Sequence, residues 1–208
     1  MKLNKIASLI KKNKRIILYN AADGTQWISN GAAMYSLKGM PPLAPENVLR
    51  FFGVPANKIG EWQCEMTELP EGIDFSDMST DDESVEPMIA WIEWMGETYC
   101  FFAHEEKVYS VNVDYIKPII GKDEYITYFK RETDSGGFML AVMDGLELIA
   151  LIMPYILDRD EIFINELKRL HYLFANTAVQ RTKDALIASL ENDKQMELNA
   201  EGADHENN

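Results

Sequence analysis

Residues 15–37 read Arg-Ile-Ile-Leu-Tyr-Asn-Ala-Ala-Asp-Gly-Thr-Gln-Trp-Ile-Ser-Asn-Gly-Ala-Ala-Met-Tyr-Ser-Leu, and this stretch decides the fold. Arg15 to Asn20 is an aliphatic run of strand length. Asp23-Gly24 behind it reads as a hairpin turn, because both residue types tolerate the positive φ of a type I′ turn. Thr25 to Ser29 returns along the first strand, Asn30-Gly31 turns the chain again, and Ala32 to Leu37 completes a three-stranded meander. Upstream, Leu3, Ile6, Leu9 and Ile10 fall at helical spacing, with Lys2, Lys5, Lys11 and Lys12 on most of the remaining arc. That pattern predicts a short amphipathic helix with a basic face over 2–12.

The same order returns further along. Val108 to Val113 reads as a strand, and Asp114 is the expected cap of a short helix through Ile119, limited by Pro118 and ended by Gly121. Tyr125 to Arg131, Phe138 to Met143 and Leu146 to Tyr155 read as strands, with Asp144-Gly145 as a turn echoing Asp23-Gly24. Between the two units, Pro41 and Pro42 argue for a loop and Pro45 opens a helix running to about Phe52. Residues 63–87 alternate poorly and hold Pro70, Gly72 and Pro87 among acids, so they are expected to be an acidic insertion that is loop or partly disordered. Met88 to Met95 and Thr98 to Ala103 suggest a hairpin around Gly96-Glu97. The fold expected is α+β, a helix-plus-antiparallel-meander repeated twice over residues 1–157, followed by a long C-terminal helix over 158–198. In that helix Phe163, Leu167, Leu170 and Phe174 stand at spacings of four, three and four, a stripe suited to docking on the sheet or to forming a homodimer. Residues 199–208 lack core-forming content and are expected to be a disordered tail.

The chain has 208 residues, 47% of them hydrophobic and 26% charged, enough for a buried core. Its 34 acidic residues outweigh 20 basic ones for a net charge of −14, and taken whole it should avoid nucleic acid and anionic lipid. The segments say more than the total. Residues 1–60 carry nine Lys/Arg and two Asp/Glu, whereas residues 61–106 carry fourteen Asp/Glu and not one Lys or Arg. Cys64 and Cys100 lack CxxC spacing, so neither a disulfide framework nor a zinc knuckle is indicated, and a reduced cytoplasmic compartment is expected. The longest apolar stretch, Leu146 to Leu157, is interrupted by Glu147 and Pro154 and is too short to span a membrane; the opening residues lack a signal-peptide pattern.

Chemistry is sparse. His104, His171 and His205 share no metal-binding spacing, and Ser8-Leu-Ile-Lys11 has none of the companions of a serine–lysine nucleophile site. Gly136-Gly137 lacks a Lys-Ser/Thr partner for phosphate, and the consecutive Asp81-Asp82-Glu83 cannot converge on a cation without a rigid scaffold. No catalytic, cofactor or metal residue is therefore assigned, and a non-enzymatic binding protein is expected. Two charge blocks remain. Lys2, Lys5, Lys11, Lys12, Lys14 and Arg15 are candidates for nucleic-acid contact. Asp74, Asp77, Asp81, Asp82, Glu83 and Glu86, interleaved with Phe75 and Met78, are candidates for docking a partner, since a row of carboxylates can imitate phosphate spacing.

Val111-Asn-Val-Asp-Tyr-Ile116, the helix and strands after it, and Leu151-Ile-Met-Pro154 together resemble the closing half of a bacterial DNA sliding clamp, where a strand ends in Asn-x-x-Tyr-Leu and the subunit finishes on Met-Pro. Residues 3–37 resemble the first half of a clamp domain more loosely. Single-domain clamp-like proteins of phages and integrated elements are similar as well. The resemblance implies two helices on one side of antiparallel strands, facing DNA with basic side chains, and a pocket near Met153 and Pro154 that seats partner peptides. It implies DNA or a DNA-processing protein as partner. The alternative is an acidic, DNA-mimicking inhibitor of a host restriction or RNA-guided CRISPR nuclease.

Overall fold

The structure is a computed structural model and describes residues 2–104, 107–120, 125–155, 161–174 and 176. The chain divides into two compact units, residues 1–156 and 157–208. In the first, helix α1 (Leu3–Asn13) leads into strands β1 (Arg15–Asn20), β2 (Gln26–Ser29) and β3 (Ala33–Ser36). Helix α2 (Pro45–Phe51) and a 3-10 turn (Ala56–Glu61) carry the chain to β4 (Gln63–Glu68). There follow β5 (Glu83–Ser84), β6 (Glu86–Trp94), β7 (Glu97–His104), β8 (Lys107–Asn112), α3 (Val113–Ile116), β9 (Ile126–Glu132), β10 (Phe138–Asp144) and β11 (Glu147–Ile152). The α+β class is as expected.

Eight strands form one sheet in the order β4-β1-β2-β3-β11-β10-β9-β5, and β6-β7-β8 form a second. The two meanders abut through β3 and β11, antiparallel with Met34 opposite Leu151. Their turns explain how. Gly31 (φ 97°) and Gly145 (φ 62°) each take the first of two central positions in a tight hairpin, where a positive φ excludes most side chains. Asp23-Gly24 differs from the type I′ expectation. Ala21 and Thr25 pair across a three-residue loop in which only Gly24 has a positive φ, and the Asp23 carboxylate accepts from the Thr25 N–H and hydroxyl.

The acidic insertion expected over 63–87 needs correction. Gln63–Glu68 is a strand, parallel to β1 with Arg15 opposite Gln63, and only its Cys64 is half-buried. An edge strand gains its backbone bonds from its neighbour whatever its exposed side chains are, so the apolar alternation that normally marks a strand is missing here. The cap of α3 is also two positions from expectation: the cap is Asn112 rather than Asp114, and its side chain accepts the Asp114 N–H at 2.9 Å.

The large sheet is covered on both faces. On one, Ile16, Leu18, Ile28, Tyr35, Leu140 and Ile152 pack with residues of α1, α2 and α3 and with Cys100, Phe102 and Val111 of the small sheet. On the other, Trp27, Met34, Met139, Ala141, Met143 and Leu151 are covered by Leu69, Ile73 and Phe75 from the loop after β4. Phe75 meets the Trp27 ring edge-on at 5.1 Å. The acid-rich segment is thus a lid over the second core.

In the second unit, residues 161–174 are helical. Phe163 is buried, whereas Leu167, Leu170 and Phe174 are exposed. The continuation of that helix to 198 and the tail at 199–208 lie outside the described residues.

Candidate nucleic-acid interface

Helix α1 buries Ile6, Leu9 and Ile10 and leaves Lys5, Ser8, Lys11 and Lys12 on its outer side. It ends where Lys14 adopts a left-handed conformation (φ 50°) and returns its N–H to the Ile10 carbonyl. This bend starts β1 at once, so the basic residues at the end of the helix fan out rather than continuing one stripe.

The six basic candidates therefore have different fates. At the N-terminus, the Lys2 amine donates to the Ile120 carbonyl. Lys12 is drawn into a polar network, 2.9 Å from Glu97 and 3.6 Å from Asp114. The Glu97 hydrogen bond raises the Lys12 pKa. The same contact lowers that of Glu97, which also accepts from Asn112 at 2.7 Å and Tyr99 at 3.1 Å. Asp114 is likewise held low by Lys117 at 2.7 Å. The shallow groove between α1 and α3, about 190 Å³, is consequently of mixed charge.

A second groove, about 290 Å³, lies beside the end of α1. Lys11, Lys14 and Lys58 line it with Gly53, Glu61 and the half-buried Trp62. Lys14 pairs with Glu61 at 2.7 Å. Among the described residues no carboxylate pairs with Lys5, Lys11, Arg15 or Lys58. Lys58 and Trp62 were not among the sequence candidates. They are separated from Lys11 by more than forty residues, and only the path of α2 and the 3-10 turn brings them together.

The acidic candidates are mostly engaged in holding their own loop. Arg131, 2% exposed, projects from β9 onto the second core and pairs with Asp82 in a two-point contact through one guanidinium edge, Nε donating to Oδ1 at 2.8 Å and Nη2 to Oδ2. Its Nη1 donates to the carbonyls of Asp74 and Ser76. Asp74 closes a turn by accepting from the Ser76 N–H and hydroxyl; partial burial opposes its ionisation, but these bonds prevail and its pKa is lowered. Asp77 accepts the Leu148 N–H at 3.0 Å, and Glu83 lies 2.7 Å from Lys130 and 3.0 Å from His104. Hydrogen bonding to Lys130 lowers the Glu83 pKa. Asp81 and Glu86 are exposed and, among the described residues, form no ion pair.

Among the described residues no three His, Cys, Asp or Glu side chains gather as metal ligands, and no helix is long and apolar enough to cross a membrane. No protein-family model, curated protein or solved structure matches the chain.

Proposed function

We propose that this chain is a non-enzymatic, clamp-like binding module that takes nucleic-acid phosphate in the groove at the end of α1. The observation that carries the reading is the grouping of Lys11, Lys14 and Lys58 around Trp62, with one carboxylate, Glu61, to offset three amines. Phosphate contacts of this kind supply affinity without sequence preference. A half-buried tryptophan beside them offers a partial stacking surface for an unpaired base. The clamp likeness rests on two helix-then-three-strand runs that meet edge to edge through β3 and β11, with α1 and α3 packed into the same core. The net charge of −14 does not oppose this, because the acids lie largely elsewhere in the chain.

The reading of the acidic segment as a phosphate mimic has less support, since Asp74, Asp77, Asp82 and Glu83 are committed to partners within the fold. Fluorescence anisotropy with labelled single- and double-stranded DNA tests the proposal. Binding should weaken with salt. In Lys11→Glu/Lys58→Glu the slope of log affinity against log salt should shrink by about two, and affinity at about 50 mM salt should fall at least tenfold. DNA binding that is absent, or that ignores this double variant, would sink it.

A further inference from the structure

The groove at the end of α1 is not uniform along its length. Beside Gly53 stands the Lys11 amine, 4.0 Å from where a Cβ on that glycine would lie. At Glu61, next to Trp62 in the chain, the Lys14 amine is taken up at 2.7 Å, and this hydrogen bond keeps the Glu61 carboxyl below its ordinary pKa and ionised at neutral pH. Lys11 and Lys58 have no carboxylate partner among the described residues. The rest of the lining is largely apolar: Val54 is buried, Pro55 is exposed, and Trp62 packs partly on the core. A phosphate is drawn to Lys11 and Lys58 and repelled by Glu61, so the place next to Glu61, on Trp62, suits an uncharged flat group.

We propose that the groove takes one unpaired nucleotide of a single strand, its phosphate on Lys11 and Lys58 and its base against Trp62. The inference rests on the nucleic-acid reading above and narrows it to single strands. Size, the aromatic ring and the supply of cations select this occupant over a duplex. The space, about 290 Å³, lies at the lower end of small-ligand pockets, about 300–1,000 Å³, and has room for one nucleotide unit. In a duplex each base face inside the stack is covered by its neighbours and only base edges reach the grooves, so Trp62 gains nothing from it; an unpaired base offers its face. Duplex binders draw affinity from many phosphates. Here the Lys2, Lys12, Lys14 and Lys117 amines each donate to an oxygen of the fold, and the groove between α1 and α3 holds Asp114. Among the described residues, Lys11 and Lys58 are the amines of this groove left for a ligand, enough for one or two phosphates.

The full chain is titrated by fluorescence anisotropy with three labelled DNA probes at low salt. They are a short single strand, the same strand with its bases removed to leave abasic sugars, and a duplex of that sequence closed at both ends by polyether linkers so that no terminal base face is open. The intact strand should bind about tenfold more tightly than either of the others, the worth of one base–aromatic stack. Trp62→Ala should remove that advantage and leave the abasic strand and the duplex unchanged, while Trp62→Phe should recover most of it. Lys11→Glu/Lys58→Glu should weaken all three probes. The abasic arm needs no substitution, so the inference stays testable even if Trp62→Ala does not fold. A duplex or an abasic strand that binds as tightly as the intact strand, or an intact strand indifferent to Trp62→Ala, overturns the inference; if the lysine variant still weakens binding, the phosphate groove itself stands. Binding of every probe indifferent to the lysine variant overturns both.

Discussion

Replacing Asp82 with alanine should be the most damaging single change in the acidic segment, although it removes a surplus charge from a chain of net −14. The Asp82 side chain is 10% exposed and that of Arg131 2%, so the variant strands a guanidinium that keeps only the Asp74 and Ser76 carbonyls as acceptors. Breaking a buried pair from one side costs roughly 3–5 kcal/mol. The loop can escape part of that by lifting away and letting water reach Arg131. Lifting gives up the half-burial of Leu69, Ile73 and Phe75, about 1–1.5 kcal/mol each at half the value of a fully buried side chain. The two routes cost about the same, so a net loss of about 3–4 kcal/mol is expected whichever the molecule takes. At about 2–4 °C per kcal/mol for a chain of this size, the thermal midpoint should drop by roughly 6–16 °C. Urea titration gives the free energy, and hydrogen exchange over residues 69–82 shows whether the loop has lifted. Arg131→Met added to Asp82→Ala should recover part of the loss, since the stranded charge is gone. A loss below about 1 kcal/mol, the range of an exposed pair, would refute the account of this loop as a clasped lid.

Glu97→Gln should flatten the acid limb of stability. The Lys12 hydrogen bond depresses the Glu97 pKa, so its contribution is present above the usual glutamate value and is lost as pH falls through the lowered one. Urea midpoints between about pH 5 and pH 3 should therefore fall more steeply in the native chain than in the variant. Burial pushes the Cys100 thiol up to about 11 and also raises Cys64. A thiol reagent at neutral pH should thus label the folded chain slowly, the half-buried Cys64 first and Cys100 only on unfolding; rapid labelling of both would contradict the core packing. Gly31→Val should cost about 1–3 kcal/mol by forcing a β-branched residue to φ 97°, while Gly60→Ala, with open space and an ordinary φ, should be nearly neutral by the same urea assay.

The meanders were legible because their signals are local. Val, Ile, Leu and aromatic runs stop at Asn30-Gly31 and Asp144-Gly145, and both turns fell within one residue of expectation. The hairpin around Gly96 was legible for the same reason, with Met95 (φ 51°) and Gly96 (φ 79°) making the turn. What the sequence hid depends on partners far along the chain. Strand β4 owes its existence to β1, forty-eight positions upstream at Arg15 and Gln63, and its own side chains carry no alternating apolar signal. Arg131 looked like one more cation in a strand, and its role appears only when Asp82 and the Asp74 and Ser76 carbonyls converge on it. The groove at the end of α1 was half visible: Lys11 and Lys14 adjoin in sequence, but Lys58 and Trp62 arrive through a tertiary path no spacing rule encodes.

Formal charge by segment is a poor guide to available charge. The fourteen carboxylates of residues 61–106 suggested a long acidic surface, yet Asp82 is nearly inaccessible, Asp77 and Asp74 cap backbone groups, and Glu83 and Glu97 each face a lysine. The basic block is thinned in the same way, since Lys12 and Lys14 go to Glu97 and Glu61. Among the described residues the charges left without an ion pair include Lys5, Lys11, Arg15 and Lys58 on the basic side and Asp81 and Glu86 on the acidic side, and of these Lys11 and Lys58 line one groove. An ion spent inside the fold is screened by its partner and adds little to the field a ligand meets, so the unpaired remainder governs recognition. That remainder, more than the net charge of −14, is the field a ligand at the α1 groove would meet.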